Sequence, residues 1–101
     1  MAFDIELQSE RGETLQAVAD PKNLLHRLIE AYAGTDPLLY EIDWNGDTVF
    51  NRLQMPRFLS AWQELALLAQ TSEQTKLVED IRALAERCES GVHLYLKFIG
   101  D

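Results

Sequence analysis

Cysteine is nearly missing from this chain, with Cys88 the one thiol in 101 residues. It has no intrachain partner for a disulfide and no second cysteine to complete a metal set, which fits a reducing compartment and predicts a cytoplasmic location. Basic charge is also scarce. Nine lysines and arginines face seventeen acids, a formal charge of −8, and the nine are scattered between Arg11 and Lys97. A nucleic-acid backbone needs a basic stripe, so no nucleic-acid partner is expected. Long apolar runs are absent as well: the richest, residues 58–69, is interrupted by Ser60, Gln63 and Glu64 and falls short of the roughly 20 residues that cross a bilayer. Met1-Ala2-Phe3-Asp4-Ile5-Glu6 carries acid where a secretory signal carries positive charge. No membrane role is expected. Glycines are few and single, at positions 12, 34, 46, 91 and 100, so no clustered cradle for a phosphate or dinucleotide exists and no cofactor is expected.

What is present is a globular composition, 47% hydrophobic and 26% charged, enough for one core and too short for two. The expectation is a single α+β domain over residues 1–101. Phe3, Ile5 and Leu7 alternate with Asp4, Glu6 and Gln8, a strand with one wet face, and a turn at 9–12 precedes a weaker strand over 14–19. Asp20-Pro21 starts a helix striped by Leu24, Leu25, Leu28, Ile29 and Tyr32 and stopped at Gly34. Residues 38–44 and 47–51 flank Asn45-Gly46, the dipeptide suited to the two positive φ angles of a type I′ hairpin turn. Pro56 opens a second helix with Phe58, Trp62, Leu65 and Ala69 on one face. Thr71 with Gln74 makes a capping box for a third, striped by Leu77, Val78, Ile81, Leu84, Ala85 and Cys88. The short link predicts an antiparallel helical hairpin. Residues 92–99 alternate as a last strand. This order favours three helices on one face of a mainly antiparallel sheet of four to five strands.

Catalytic patterns fail when tested one by one. No serine is flanked by glycines two positions away on each side, as a nucleophile elbow requires. Cys88 with His93 as base would make a thiolate pair, but Cys88 lies in the apolar stripe of its helix and reads as a core residue. His26 lies opposite the apolar stripe of the first helix and reads as solvated. Asp43, Asn45 and Asp47 alternate like the first ligands of a calcium loop, yet Gly46 precedes Asp47 and Gln54 stands where a bidentate glutamate belongs. No metal is expected.

The surface offers two candidates. Asp4 and Glu6, like Glu41 and Asp43, sit two apart on expected strands and point the same way. Together they would form a shallow acidic patch with Tyr40 or Tyr95 beside it, suited to a basic protein partner, although a solubilising face is the plainer account. Leu67 projects almost opposite Phe58, with Leu68 on its flank, so these leucines are covered by other parts of the chain or form an interface. With residues 92–99 expected as a sheet edge apolar on one face and nearly free of guarding charge, the sequence leans slightly to a homodimer.

The segment Asp47-Thr48-Val49-Phe50-Asn51-Arg52-Leu53-Gln54 and the ending Val92-His93-Leu94-Tyr95-Leu96-Lys97-Phe98-Ile99-Gly100-Asp101 resemble those of a group of small bacterial proteins with no assigned active site. The resemblance covers about a quarter of the chain. It implies a bacterial origin and transfers no site residue. Two expectations follow: a small acidic binding module, of an immunity or regulatory type, acting on a basic protein; or a small enzyme or ligand-binding domain with a site assembled from distant residues.

Overall fold

The computed structural model describes residues 3–100; Met1 and Ala2, and Asp101 at the end of the C-terminal resemblance, lie outside them. Among the described residues the fold is α+β, a four-stranded antiparallel sheet with three α-helices. The alternating segment forms β1 (Phe3–Ser9) and turns at Gly12, whose φ of 81° suits glycine, into β2 (Thr14–Asp20). Helix α1 (Leu24–Ala31) follows, then a 3-10 helix over Pro37–Glu41, β3 (Asp47–Asn51), α2 (Met55–Ala66), α3 (Ser72–Ser90) and β4 (Leu94–Ile99). Strand order is β2-β1-β4-β3. Thr71 and Gln74 close the expected capping box on α3.

The helices pack on one face of the sheet, where Ile5, Leu7, Phe50, Leu96 and Phe98 meet Phe58, Trp62, Leu65 and the α3 stripe, all buried. Each such side chain contributes about 1.5–3 kcal/mol. Ion pairs such as Lys22–Glu73 and Lys76–Asp80 are exposed and contribute about 0–1 kcal/mol each, so the one-sided core holds the fold.

Four expectations need correction. Asp20-Pro21 is not the first turn of α1, which begins at Leu24 behind Asn23 with its φ of 55°; Pro21 lies in a turn, and the Asp20 carboxylate reaches past it to accept from Leu24 and Leu25 N–H. Residues 38–44 are not a strand, and no hairpin turns at Asn45-Gly46. Pro37 sits at the start of the 3-10 helix, the Asp36 carboxylate accepts from Leu38 N–H, and Leu38, Leu39 and Ile42 are buried. Asn45 and Gly46 lack the positive φ angles that a type I′ turn demands; the Asp43 carboxylate accepts from Asn45 N–H instead. Trp44, wedged between Phe3 at 4.9 Å and His26 at 4.5 Å, ties this loop to the core side. Gly34 does not end α1 through a left-handed backbone; a Cβ there would meet the Tyr32 ring. The last strand begins at Leu94 and lies between β1 and β3, so it is central and its edge is already paired.

Candidate functional site

The face of the sheet away from the helices is open. Because side chains alternate along a strand, strand register alone determines what that face displays. One row runs Ala19, Asp4, Ile99, Asp47; the next Ala17, Glu6, Lys97, Val49; the third Thr14, Gln8, Tyr95, Asn51. Asp4 and Asp47 therefore flank Ile99, Glu6 and Val49 flank Lys97, and Tyr95 lies between Gln8 and Asn51. Lys97 Nζ stands 3.5 Å from Asp47, and Lys97 is cross-strand to Glu6.

Glu6 is fixed in position. The Thr14 hydroxyl and the Gln8 amide each donate to its Oε1 at 2.7 Å, and these bonds hold its carboxyl below its ordinary pKa against a partial burial penalty, with Lys97 assisting. Its negative charge is thus kept at neutral pH. Asp4, Glu6 and Asp47 against Lys97 leave the face net acidic, and Ile99, Tyr95 and Val49 provide apolar area that water contacts.

Of the four acids expected to share a patch, Asp4 and Glu6 lie on this face. Glu41 ends the 3-10 helix and Asp43 belongs to the turn before β3, so neither belongs to a strand. Tyr95 is on the face, whereas the Tyr40 hydroxyl donates to the Tyr32 carbonyl at the helical side. Asp47, Lys97 and Ile99 were missed because their membership depends on strand order, which local patterns do not carry. Leu67, at the end of α2, is 84% exposed, while Leu68 packs partly against the core.

A second feature lies at the end of the sheet where β4 begins. An open groove of ≈ 400 Å³ is lined by Asn51, Arg52, Leu53, Val92, His93, Leu94 and Tyr95. Leu53 and Val92 are 81% and 70% exposed, and His93 has a φ of 54°, a conformation uncommon outside glycine. His93 Nδ1 is 3.6 Å from Glu10.

Cys88 is buried, and its Sγ donates to the Leu94 carbonyl at 3.5 Å. Burial pushes the thiol up to about 11, the reverse of what an activated nucleophile needs. We expect a thiol reagent such as Ellman's to leave Cys88 unmodified in the native chain at pH 8 and to titrate it fully once the chain is unfolded. Rapid native labelling would contradict its placement in the core. His26 is only half solvated, since its ring stacks on Trp44.

Among the described residues, no His, Cys, Asp and Glu side chains group in threes able to hold a metal ion, and no helix is long and apolar enough to cross a membrane. The chain matches no family model, no curated protein and no solved structure.

Proposed function

We propose that this chain is an acidic protein-binding module, of an immunity or regulatory type, working in the cytoplasm and receiving a basic protein on the open face of its sheet. The observation that carries this reading is the face itself: Ile99 lies between Asp4 and Asp47, Val49 and Tyr95 add apolar and aromatic area in the next rows, and the three acids Asp4, Glu6 and Asp47 outnumber the single base Lys97. Apolar contact supplies affinity after docking, and the acidic border steers a cationic partner towards it. A chain of −8 formal charge adds a long-range field that raises association rates by roughly 10–10³ at low salt. The pairing of Glu6 with Thr14 and Gln8 lowers the entropy that docking would otherwise have to remove.

The test is capture of proteins from the native host on immobilised chain, followed by affinity measurement with charge-reversed variants. Asp4→Lys combined with Asp47→Lys is expected to weaken binding of the captured basic protein about tenfold, equivalent to about 1.4 kcal/mol. Glu41→Lys, off the sheet, is expected to change it less than about twofold, the scale of a remote surface charge. Retention that ignores both the double reversal and raised salt would end this reading. The groove at the start of β4 favours a second reading, a ligand-binding domain using Arg52, His93 and Tyr95. Binding abolished by Arg52→Ala and untouched by the double reversal would move the site there.

A further inference from the structure

The edges of the sheet are β2 and β3, and the register of β3 determines which of its backbone groups stay open. In an antiparallel pair, residues that exchange N–H and C=O with the partner strand alternate with residues whose groups point away from it. β3 pairs Asp47 with Ile99, Val49 with Lys97 and Asn51 with Tyr95. Gly46 stands opposite Gly100 in the same register, and its carbonyl accepts from Gly100 N–H at 2.8 Å, so the positions bonded to β4 are Gly46, Thr48 and Phe50. Asp47, Val49 and Asn51 therefore turn their N–H and C=O groups outward. Asn51 N–H is taken there by the Gln54 side chain at 2.9 Å, which closes that end. Among the described residues nothing bonds the outward groups of Asp47 and Val49, and no further strand lies beside them. The other edge differs: the β2 ladder is interrupted opposite Leu7 and Gln8, and the Arg87 side chain donates to Gln16 at 2.7 Å.

Charge says what this open run accepts. Asp47 begins it, and a Cβ on Gly46 would come within 2.8 Å of Asp43 Oδ2, so two carboxylates stand at its start, with Lys97 3.5 Å from Asp47. Lysine and proline, the usual guards of an edge, are both absent from β3. A strand carrying lysine or arginine is drawn to this end, whereas a second copy of a chain of −8 is repelled. We propose that the basic partner enters as an extended segment, adding a fifth strand antiparallel to β3 and bonded to the backbone of Asp47 and Val49; this rests on the open-face reading above. The incoming residue opposite Asp47 is lysine or arginine, and the one opposite Val49, two positions earlier in the segment, is apolar. Both side chains then extend the open face, because side chains alternate along a strand and pair across it. The main-chain bonds set the register, and Gln54 stops the ladder at Asn51.

The probe is an end-blocked peptide, Thr-Val-Thr-Lys-Thr-Lys, titrated to millimolar concentration into isotopically labelled chain. Amide shifts at Asp47 and Val49 are expected to move, with Gln16 and Val18 on the other edge unchanged. Methylating the backbone nitrogens of the peptide's valine and first lysine keeps its charge and removes its donors, and should abolish the shifts. Asp47→Lys should weaken binding at least about tenfold, since like charges would then face each other. Val49→Pro removes an outward N–H at a place where an edge strand tolerates proline, and should weaken both the peptide and the captured protein, with circular dichroism verifying the fold. No shifts at millimolar peptide, or equal binding of the methylated peptide, overturns the proposal. So do shifts at Asp47 and Val49 in the chain alone that fade on dilution, which would place a second copy on this edge. A captured protein that ignores the reversal of Asp4 and Asp47 sinks the face reading, whereas one that obeys it and binds Val49→Pro unchanged sinks only the added strand.

Discussion

Trp62→Ala is expected to cost about 3–5 kcal/mol of folding stability, the usual range for removing a fully buried tryptophan. The indole is completely inaccessible, lies 5.1 Å from the Phe58 ring in a stacked arrangement, and donates from Nε1 to the Val78 carbonyl at 3.0 Å. It thus joins α2 to α3 through packing and a hydrogen bond at once. Small domains have about 5–15 kcal/mol in total, so this one change removes a large share. Urea unfolding followed by circular dichroism measures it. Trp62→Phe should fall between wild type and alanine, since most ring contacts remain and the bond to Val78 is lost. A loss under about 1 kcal/mol for alanine, the scale of a surface change, would contradict the burial of this side chain.

Asp20→Ala is expected to cost about 2–3 kcal/mol, combining a lost helix cap with hydrogen bonds to a charged acceptor. Asp20 is buried at 2% exposure. Its two carboxylate oxygens accept from Leu24 and Leu25 N–H, each at 2.9 Å. Those are two of the donors that the first turn of a helix leaves without intrahelical partners. Alanine would leave both donors without this acceptor, the one at Leu25 in a buried setting. Asp20→Asn retains one acceptor oxygen and should lose roughly half as much, by the value of a single hydrogen bond. Denaturant midpoints for the two variants check the order, and equal stability of wild type and alanine would show that water reaches the start of α1.

Much of this fold is legible in local pattern. Period-two alternation marks β1 and the later part of β4, the Thr71–Gln74 box marks the start of α3, and the Asp20 cap marks the approach to α1. The stretch from Leu38 to Gly46 misleads because its determinants are remote. Leu38, Leu39 and Ile42 fit a strand as well as a 3-10 turn, and the choice is made by the Asp36 carboxylate and by Trp44 docking against Phe3 and His26. Asn45-Gly46 is then used for a turn without positive φ. A further constraint comes from the far end of the chain, where Gly100 N–H donates to the Gly46 carbonyl at 2.8 Å. A Cβ on Gly100 would strike the Trp44 carbonyl. Half of the candidate site was visible for the same reason that half was hidden. Asp4 and Glu6 follow from alternation within one strand, but Asp47, Lys97 and Ile99 join them only because β4 enters the sheet between β1 and β3.

The central claim, that the open face of the sheet receives a basic protein, is tested most directly by mapping backbone amide shifts as the captured partner is titrated into isotopically labelled chain. The account predicts perturbations along the middle of the sheet at Asp4, Glu6, Tyr95, Lys97, Ile99, Asp47 and Val49, with α2 and the outer surface of α3 unchanged. Perturbations confined to the helical layer, or to Arg52, Leu53 and His93 at the end of the sheet, would contradict it.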